Sequence, residues 1–194
     1  VKTNLYYADV TDHMICSSVV EDILSAFGSV GVLINNAGIT DDSTLKRMKR
    51  EQWSNVIDTN LNSVFNMTKP IFSQMLENGW GRIINISSIN AQKGQFGQVN
   101  YSAAKAGMHG FTKALAREGA AKGVTVNTIS PGYIATQMMT DIPENVLDSI
   151  VAEIPVGRLG LPLEVAHAVD FLVDIKAGYV TGSDLTINGG HHIF

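Results

Sequence analysis

The chain has 194 residues, 45% of them apolar and only 16% charged, which fits one domain of the usual roughly 100–200 residues and excludes an intrinsically disordered chain, poor in apolar residues and rich in charge. Fourteen Lys and Arg stand against eighteen Asp and Glu, a formal net charge of −4, which argues against a nucleic-acid partner held on basic surface. The single cysteine, Cys16, excludes an internal disulfide.

In chain order, Val1–Asn4 carry neither the charged start nor the apolar run of a signal peptide. No later run approaches the roughly 18 apolar residues of a spanning helix, so a cytoplasmic protein with no membrane partner is expected. Asn4–Ala8 reads as a strand, and Asp12–Phe27 as a helix capped by Thr11 or Asp12. Val30–Asn35 is a short apolar strand, and Glu51–Asn78 is a long helix that Pro70 should bend or divide. Arg82–Ile86 and Val124–Ile129 are strands on either side of a helix over Tyr101–Lys122. Helices over Glu144–Glu153 and Leu163–Ile175 precede a last strand, Asp184–Ile187.

Alternating strands and helices predict an α/β fold, a Rossmann-like doubly wound parallel sheet with helices on both faces. The runs Val32-Leu33-Ile34 and Ile83-Ile84-Asn85-Ile86 are almost wholly apolar, as strands covered on both faces are. In such sheets ligands bind beyond the carboxyl ends of the strands. The segments there are Asn36-Ala37-Gly38, Ser87-Ser88 and Ser130-Pro131-Gly132, small and polar, all on one edge.

Tyr101 and Lys105 are four apart near the start of a helix and so share a face. A phenol is a poor acid–base catalyst at neutral pH, and a neighbouring ammonium lowers its pKa. Taken alone, the pair reads first as an amphipathic helix carrying a solvated lysine, because the spacing is common by chance. Lys46-Arg47-Met48-Lys49-Arg50 is the densest basic run; it suits either a phosphate-bearing ligand or a solvated approach to a helix. The five histidines show no metal-ligand spacing, and no metal is expected.

Taken together, Asn35-Asn36-Ala37-Gly38, Asn60, Ser88, Tyr101-Ser102-Ala103-Ala104-Lys105 and Pro131-Gly132 resemble the short-chain dehydrogenases/reductases in order and spacing. Within that family, Gln92-Lys93-Gly94-Gln95-Phe96-Gly97-Gln98 and Ser130-Pro131-Gly132-Tyr133-Ile134 are similar to the reductases of acetoacetyl-CoA, with the 3-oxoacyl-acyl-carrier-protein reductases as the alternative. The resemblance implies Tyr101 as proton donor and Lys105 as the group that lowers its pKa and bonds the nicotinamide ribose. It implies Ser88 as the donor that holds the substrate carbonyl, and Asn60 as the anchor of a water linking Lys105 to solvent. NADPH, or NADH, is the implied cofactor. Asp9 and Val10 match positions at the adenine, and Asn36, Ala37 and Gly38 line the cofactor crevice with Asn35. Pro131, Gly132, Ile134 and Thr136 match positions at the nicotinamide. Gln95, Phe96, Gln98 and Tyr133, with Ser88, would surround a 3-oxoacyl thioester such as acetoacetyl-CoA. A homotetramer pairing the helices Glu51–Asn78 and Tyr101–Lys122 is implied as well.

The pattern departs from the family in one place. The Thr-Gly-x-x-x-Gly-x-Gly loop that cradles a pyrophosphate at a helix N-terminus is not in the sequence. Asp9-Val10 already match the end of the family's third strand. The expectation is a single domain over residues 1–194 without its N-terminal cofactor-binding βαβ segment, within a longer polypeptide. A non-catalytic remnant or assembly partner is the other class of function.

Overall fold

Four short runs rich in Val and Ile, which favour the pleated, covered surface of a sheet, form one sheet. They are β1 (Val32–Asn35), β2 (Gly81–Ile86), β3 (Val124–Pro131) and β4 (Asp184–Ile187). The computed structural model, which describes residues 2–139 and 143–193, pairs them all in parallel in the order β1-β2-β3-β4. The helices are α1 (His13–Phe27), α2 (Arg50–Ile57), α3 (Ser63–Asn78), α4 (Asn90–Lys93), α5 (Val99–Gly119), α6 (Glu144–Glu153) and α7 (Pro162–Val173). No helix among the described residues is long and apolar enough to cross a membrane.

Successive strand residues point to opposite faces, and the core divides accordingly. Leu33, Ile83, Val124 and Val126 pack with Val20 of α1, Ile71 and Met75 of α3, and Ala116 of α5. Ile84 and Ile129 pack on the other face against Leu172 of α7. The two-faced parallel α/β architecture is thus present. Since the strand order is sequential while α7 lies opposite α3 and α5, the last crossover has the reverse hand of the first two. On β1, Val32 and Ile34 point to the α7 face and remain exposed.

Two expectations about the elements need correction. Asn4–Ala8 is not a strand; no strand among the described residues lies beside it, so its backbone enters no ladder. The division of Glu51–Asn78 falls at Asp58–Asn62, a π-helical turn, while Pro70 stays inside α3. The cause is local: Asn60 Nδ2 donates to the Val56 carbonyl at 2.8 Å, one turn back, and so competes for the oxygen that the regular i→i−4 backbone bond would use. The segment Ile89–Gln98, to which the sequence reading assigns no element, holds a short helix, α4. Of the two possible caps on α1, Asp12 is the one used, its carboxylate accepting from the backbone N–H of Met14 and Ile15.

Candidate active site

The carboxyl ends of β2 and β3 open into a cleft of about 420 Å³. The register aligns Ile86 with Ile129 and Pro131 with Ile187, so the segments following the strands reach one edge. Ser88, Tyr101, Gln98, Pro131, Gly132, Tyr133, Ile134 and Thr136 all line it. These eight of the residues singled out from sequence come from three separate parts of the chain.

Tyr101 lies in the first turn of α5. Its backbone N–H donates to Asn100 Oδ1 at 2.9 Å, and Asn100 Nδ2 donates to the carbonyls of Asp41 and Gln52, fixing this turn against the loop after β1 and the first turn of α2. The Ser88 side chain stands close enough to the Tyr101 hydroxyl to act on its titration. Ser88 Oγ accepts from the backbone N–H of Asn90. Burial pushes the Tyr101 pKa above its ordinary value; the nearby Ser88 hydroxyl opposes this, and the Asp42 carboxylate adds to it. The displacement is opposite to the one expected from sequence, because desolvation penalises the phenolate more than the donor stabilises it.

Lys105 lies one turn further along α5 and is buried. Its ammonium donates to the Ile86 carbonyl at 2.7 Å and stands 5.7 Å from the centroid of the Tyr101 ring. Burial lowers its pKa to about 8. An ammonium has three donors, and the Ile86 oxygen is the one oxygen partner of Lys105 among the described residues. Asn60 is fully buried in the π-turn, and its amide exchanges two bonds with the backbone of Ile39. A β-carbon on Gly38 would fall 2.6 Å from Asn60 Oδ1 and 3.4 Å from Lys105 Nζ, so Gly38, Asn60 and Lys105 meet behind the cleft.

Other predicted positions lie elsewhere. Asn36, Ala37 and Gly38 are exposed just past the end of β1. Asp9 is turned onto its own loop, its carboxylate accepting from Thr11; the Val10 carbonyl accepts from Asn66 of α3. Gln95 and Phe96 do not line the cleft, and Phe96 is 87% exposed. The glycines flanking them, Gly94 and Gly97, have φ of +69° and +80°, and the tight loop they allow turns the ring outward. Lys46, Arg47, Lys49 and Arg50 are exposed at the approach to α2.

Asp42 and Asn90, not singled out from sequence, line the cleft. Gln98 Nε2 donates to Asp42 Oδ2 at 2.8 Å, and Asn90 Nδ2 donates to Gln98 Oε1 at 2.9 Å. The side-chain amide of Gln98 is therefore clamped at both ends. The contact arises because Ser43 N–H donates to the Gly97 carbonyl, drawing the loop after β1 onto the loop before α5. The Asp42 carboxylate also raises the pKa of Tyr133, after burial and Glu153. Such a cleft presents two neutral hydroxyls and a side-chain amide to a ligand, with a lysine ammonium behind them, and suits binding a polarised carbonyl oxygen and protonating it.

The family model described as enoyl-(acyl carrier protein) reductase matches residues 1–192. The chain is 56% identical to an acetoacetyl-CoA reductase of Cupriavidus necator over 185 residues, 95% of this chain and 75% of that protein. It is 56% identical to an acetoacetyl-CoA reductase of Rhizobium meliloti over 189 residues, 97% of this chain and 78% of the relative. To the 3-oxoacyl-[acyl-carrier-protein] reductase of Escherichia coli it is 47% identical over 185 residues, 95% of this chain and 76% of the relative.

Proposed function

The chain belongs to the short-chain dehydrogenase/reductase family, and from that premise we propose that it reduces acetoacetyl-CoA to the 3-hydroxyacyl thioester with NADPH. The observation that carries this reading is that Ser88 and Tyr101 line one cleft at the carboxyl edge of a parallel sheet, with the Lys105 ammonium beside the Tyr101 ring. The greater identity to acetoacetyl-CoA reductases than to the acyl-carrier-protein enzyme supports the CoA thioester.

The residues present fit the nicotinamide–ribose end of a dinucleotide. Lys105 has donors left over for ribose hydroxyls, and Asn36-Ala37-Gly38 expose backbone at the strand end with no large side chain in the way. Pro131, Gly132, Ile134 and Thr136 would flank the nicotinamide, and Asp9 and Val10 the adenine. The chemistry supplied by the bound group is hydride transfer to the ketone carbon.

The chain's own residues handle the oxygen. Ser88 donates to the carbonyl and holds it beside Tyr101. As negative charge grows there, the Tyr101 O–H bond breaks, the proton forms an O–H bond on the substrate oxygen, and the phenolate is left behind. Its raised pKa suits this direction: the phenol stays protonated at neutral pH, and an alkoxide is basic enough to take the proton. Gln98, clamped by Asp42 and Asn90, and Tyr133 offer polar contacts to the thioester carbonyl. Assembly as a homotetramer through the helices Glu51–Asn78 and Tyr101–Lys122 belongs to the same reading, and the exposed Phe65 on α3 supports an interface on that helix.

The test is NADPH oxidation by the purified chain, with acetoacetyl-CoA against the same acyl group on acyl carrier protein. A higher kcat/KM for the CoA thioester is expected. A preference for the carrier protein would assign the chain to fatty-acid synthesis, and no turnover of either would remove the catalytic reading.

A further inference from the structure

Behind the cleft, α5 carries a third polar residue at the four-residue spacing of Tyr101 and Lys105. This is His109, with a side chain 16% exposed. Its Nε2 lies 2.9 Å from Ser87 Oγ, 3.4 Å from Ser130 Oγ and 3.7 Å from Asp184 Oδ2. Ser87 adjoins Ser88, and Ser130 is the residue before the Pro131-Gly132 segment. None of these four belongs to the proton-donating machinery described above.

The protons around them can be assigned from the partners. Ser87 Oγ lies 3.0 Å from the Lys105 carbonyl, which can only accept, so the Ser87 proton points there. Ser87 must then accept from His109, and Nε2 carries the hydrogen. Ser130 gives its proton to Asp184 Oδ1 at 2.7 Å, and Gln92 Nε2 donates to Asp184 Oδ2. An Asp184 oxygen facing Nε2, on a carboxylate that already accepts from Ser130 and Gln92, favours the hydrogen on that same nitrogen. Burial lowers the His109 pKa, as does Lys113, against the opposing effect of Asp184, which is consistent with a neutral ring.

We propose that His109 is a positioning residue which, as the Nε2–H tautomer, locks Ser87 onto the Lys105 carbonyl and thereby fixes the end of β2 that carries Ser88. The chain His109–Ser87–Lys105 ties α5 to the strand end at the point where both reacting hydroxyls originate. Ile86, whose carbonyl holds the Lys105 ammonium, is the residue before Ser87. Freeing Ser87 would therefore disturb the peptide units on both sides of it. Displacements well under an ångström at such a point are costly in turnover, because the donors must sit where charge develops.

The kinetic arm of the test rests on the reductase reading; the spectroscopic arm does not. Nitrogen-15 NMR of the imidazole in cofactor-free protein is expected to show Nε2 protonated and Nδ1 bare, and the reverse tautomer would overturn the proposal. For kinetics, His109→Leu keeps bulk and removes the donor, while His109→Gln restores an N–H near the position of Nε2. We expect His109→Leu to lower kcat by about tenfold with KM for NADPH little changed, and His109→Gln to recover most of the loss. A folded His109→Leu protein with wild-type kcat, or a Gln variant no better than Leu, would contradict it. Should His109→Leu fail to fold, Ser87→Ala removes the acceptor at less cost and is expected to show the same fall in kcat; wild-type kcat there would count against the proposal. If the wild type itself shows no turnover, the reductase reading fails and the tautomer alone decides the role of His109.

Discussion

Lys105 directs its ammonium at the Ile86 carbonyl, 2.7 Å away, and the ring of Tyr101 lies alongside with its centroid 5.7 Å from the same nitrogen. The lysine thus bridges β2 and α5 as a buried cation whose pKa falls from 10.5 to about 8. Between those values the folded state binds fewer protons than the unfolded state, so the contribution of this group to stability rises with pH. The unfolding free energy of the wild type minus that of Lys105→Met should increase by about 3 kcal/mol between pH 8 and 10.5. Urea titrations of both proteins across that range check this, and a flat or falling difference would be incompatible with a depressed lysine.

Gly38 has no room for a side chain. A β-carbon there would lie 2.6 Å from Asn60 Oδ1, and the amide of Asn60 would have to leave its bonds to Ile39. Gly38→Ala is expected to lose about 1–3 kcal/mol of stability, read from the urea midpoint, and to weaken NADPH binding in a direct titration. Unchanged stability would mean that Asn60 can shift at no cost.

A buried polar ladder crosses the sheet. Asn35 Nδ2 donates to Asn85 Oδ1, Asn85 Nδ2 to Thr112 Oγ1, and Thr128 Oγ1 to Thr112 Oγ1. Asn85→Ala strands donors and acceptors on both sides and should cost about 1–3 kcal/mol. Asn85→Asp should cost more, because it places a charge where water cannot reach it. Chemical denaturation ranks the two, and the reverse order would show that the carboxylate finds a partner.

Glu164 caps α7 through the Leu161 N–H and forms a two-pronged pair with Arg158. The bond from Arg158 is the largest cause that lowers its pKa, to about 2. A depressed carboxylate stabilises the fold above its ordinary pKa and loses that contribution as pH falls through the folded value. The melting temperature of Glu164→Ala should lie below that of the wild type at pH 7, with the gap closing towards pH 2. The pair is at the surface, so the effect should be small and sensitive to salt.

Much of this architecture is readable from the residues. The strands β1 to β4 stand out because short Val- and Ile-rich runs are bounded by Gly or polar residues, and the rule that ligands gather at strand carboxyl ends brings Ser88, Tyr101 and Pro131 to one cleft. Asn4–Ala8 shows the limit of that pattern, since an apolar run becomes a strand only where a neighbour exists. Asp42, Asn90 and Asn100 were illegible for a different reason. A lone Asp or Asn in a loop has no periodic signature, and its role appears only when the loop after β1 is drawn onto the segment before α5. The rise in the Tyr101 pKa was hidden too, because spacing reveals a nearby lysine but not the depth of burial.

The central claim, that Tyr101 protonates a carbonyl held by Ser88, is tested most directly by NADPH oxidation with acetoacetyl-CoA using wild-type protein and Tyr101→Phe. The wild type should turn over, and Tyr101→Phe, which keeps the ring and removes only the hydroxyl, should fold normally and lose kcat by about a hundredfold or more. A well-folded Tyr101→Phe protein that reduces the thioester at the wild-type rate would contradict the account.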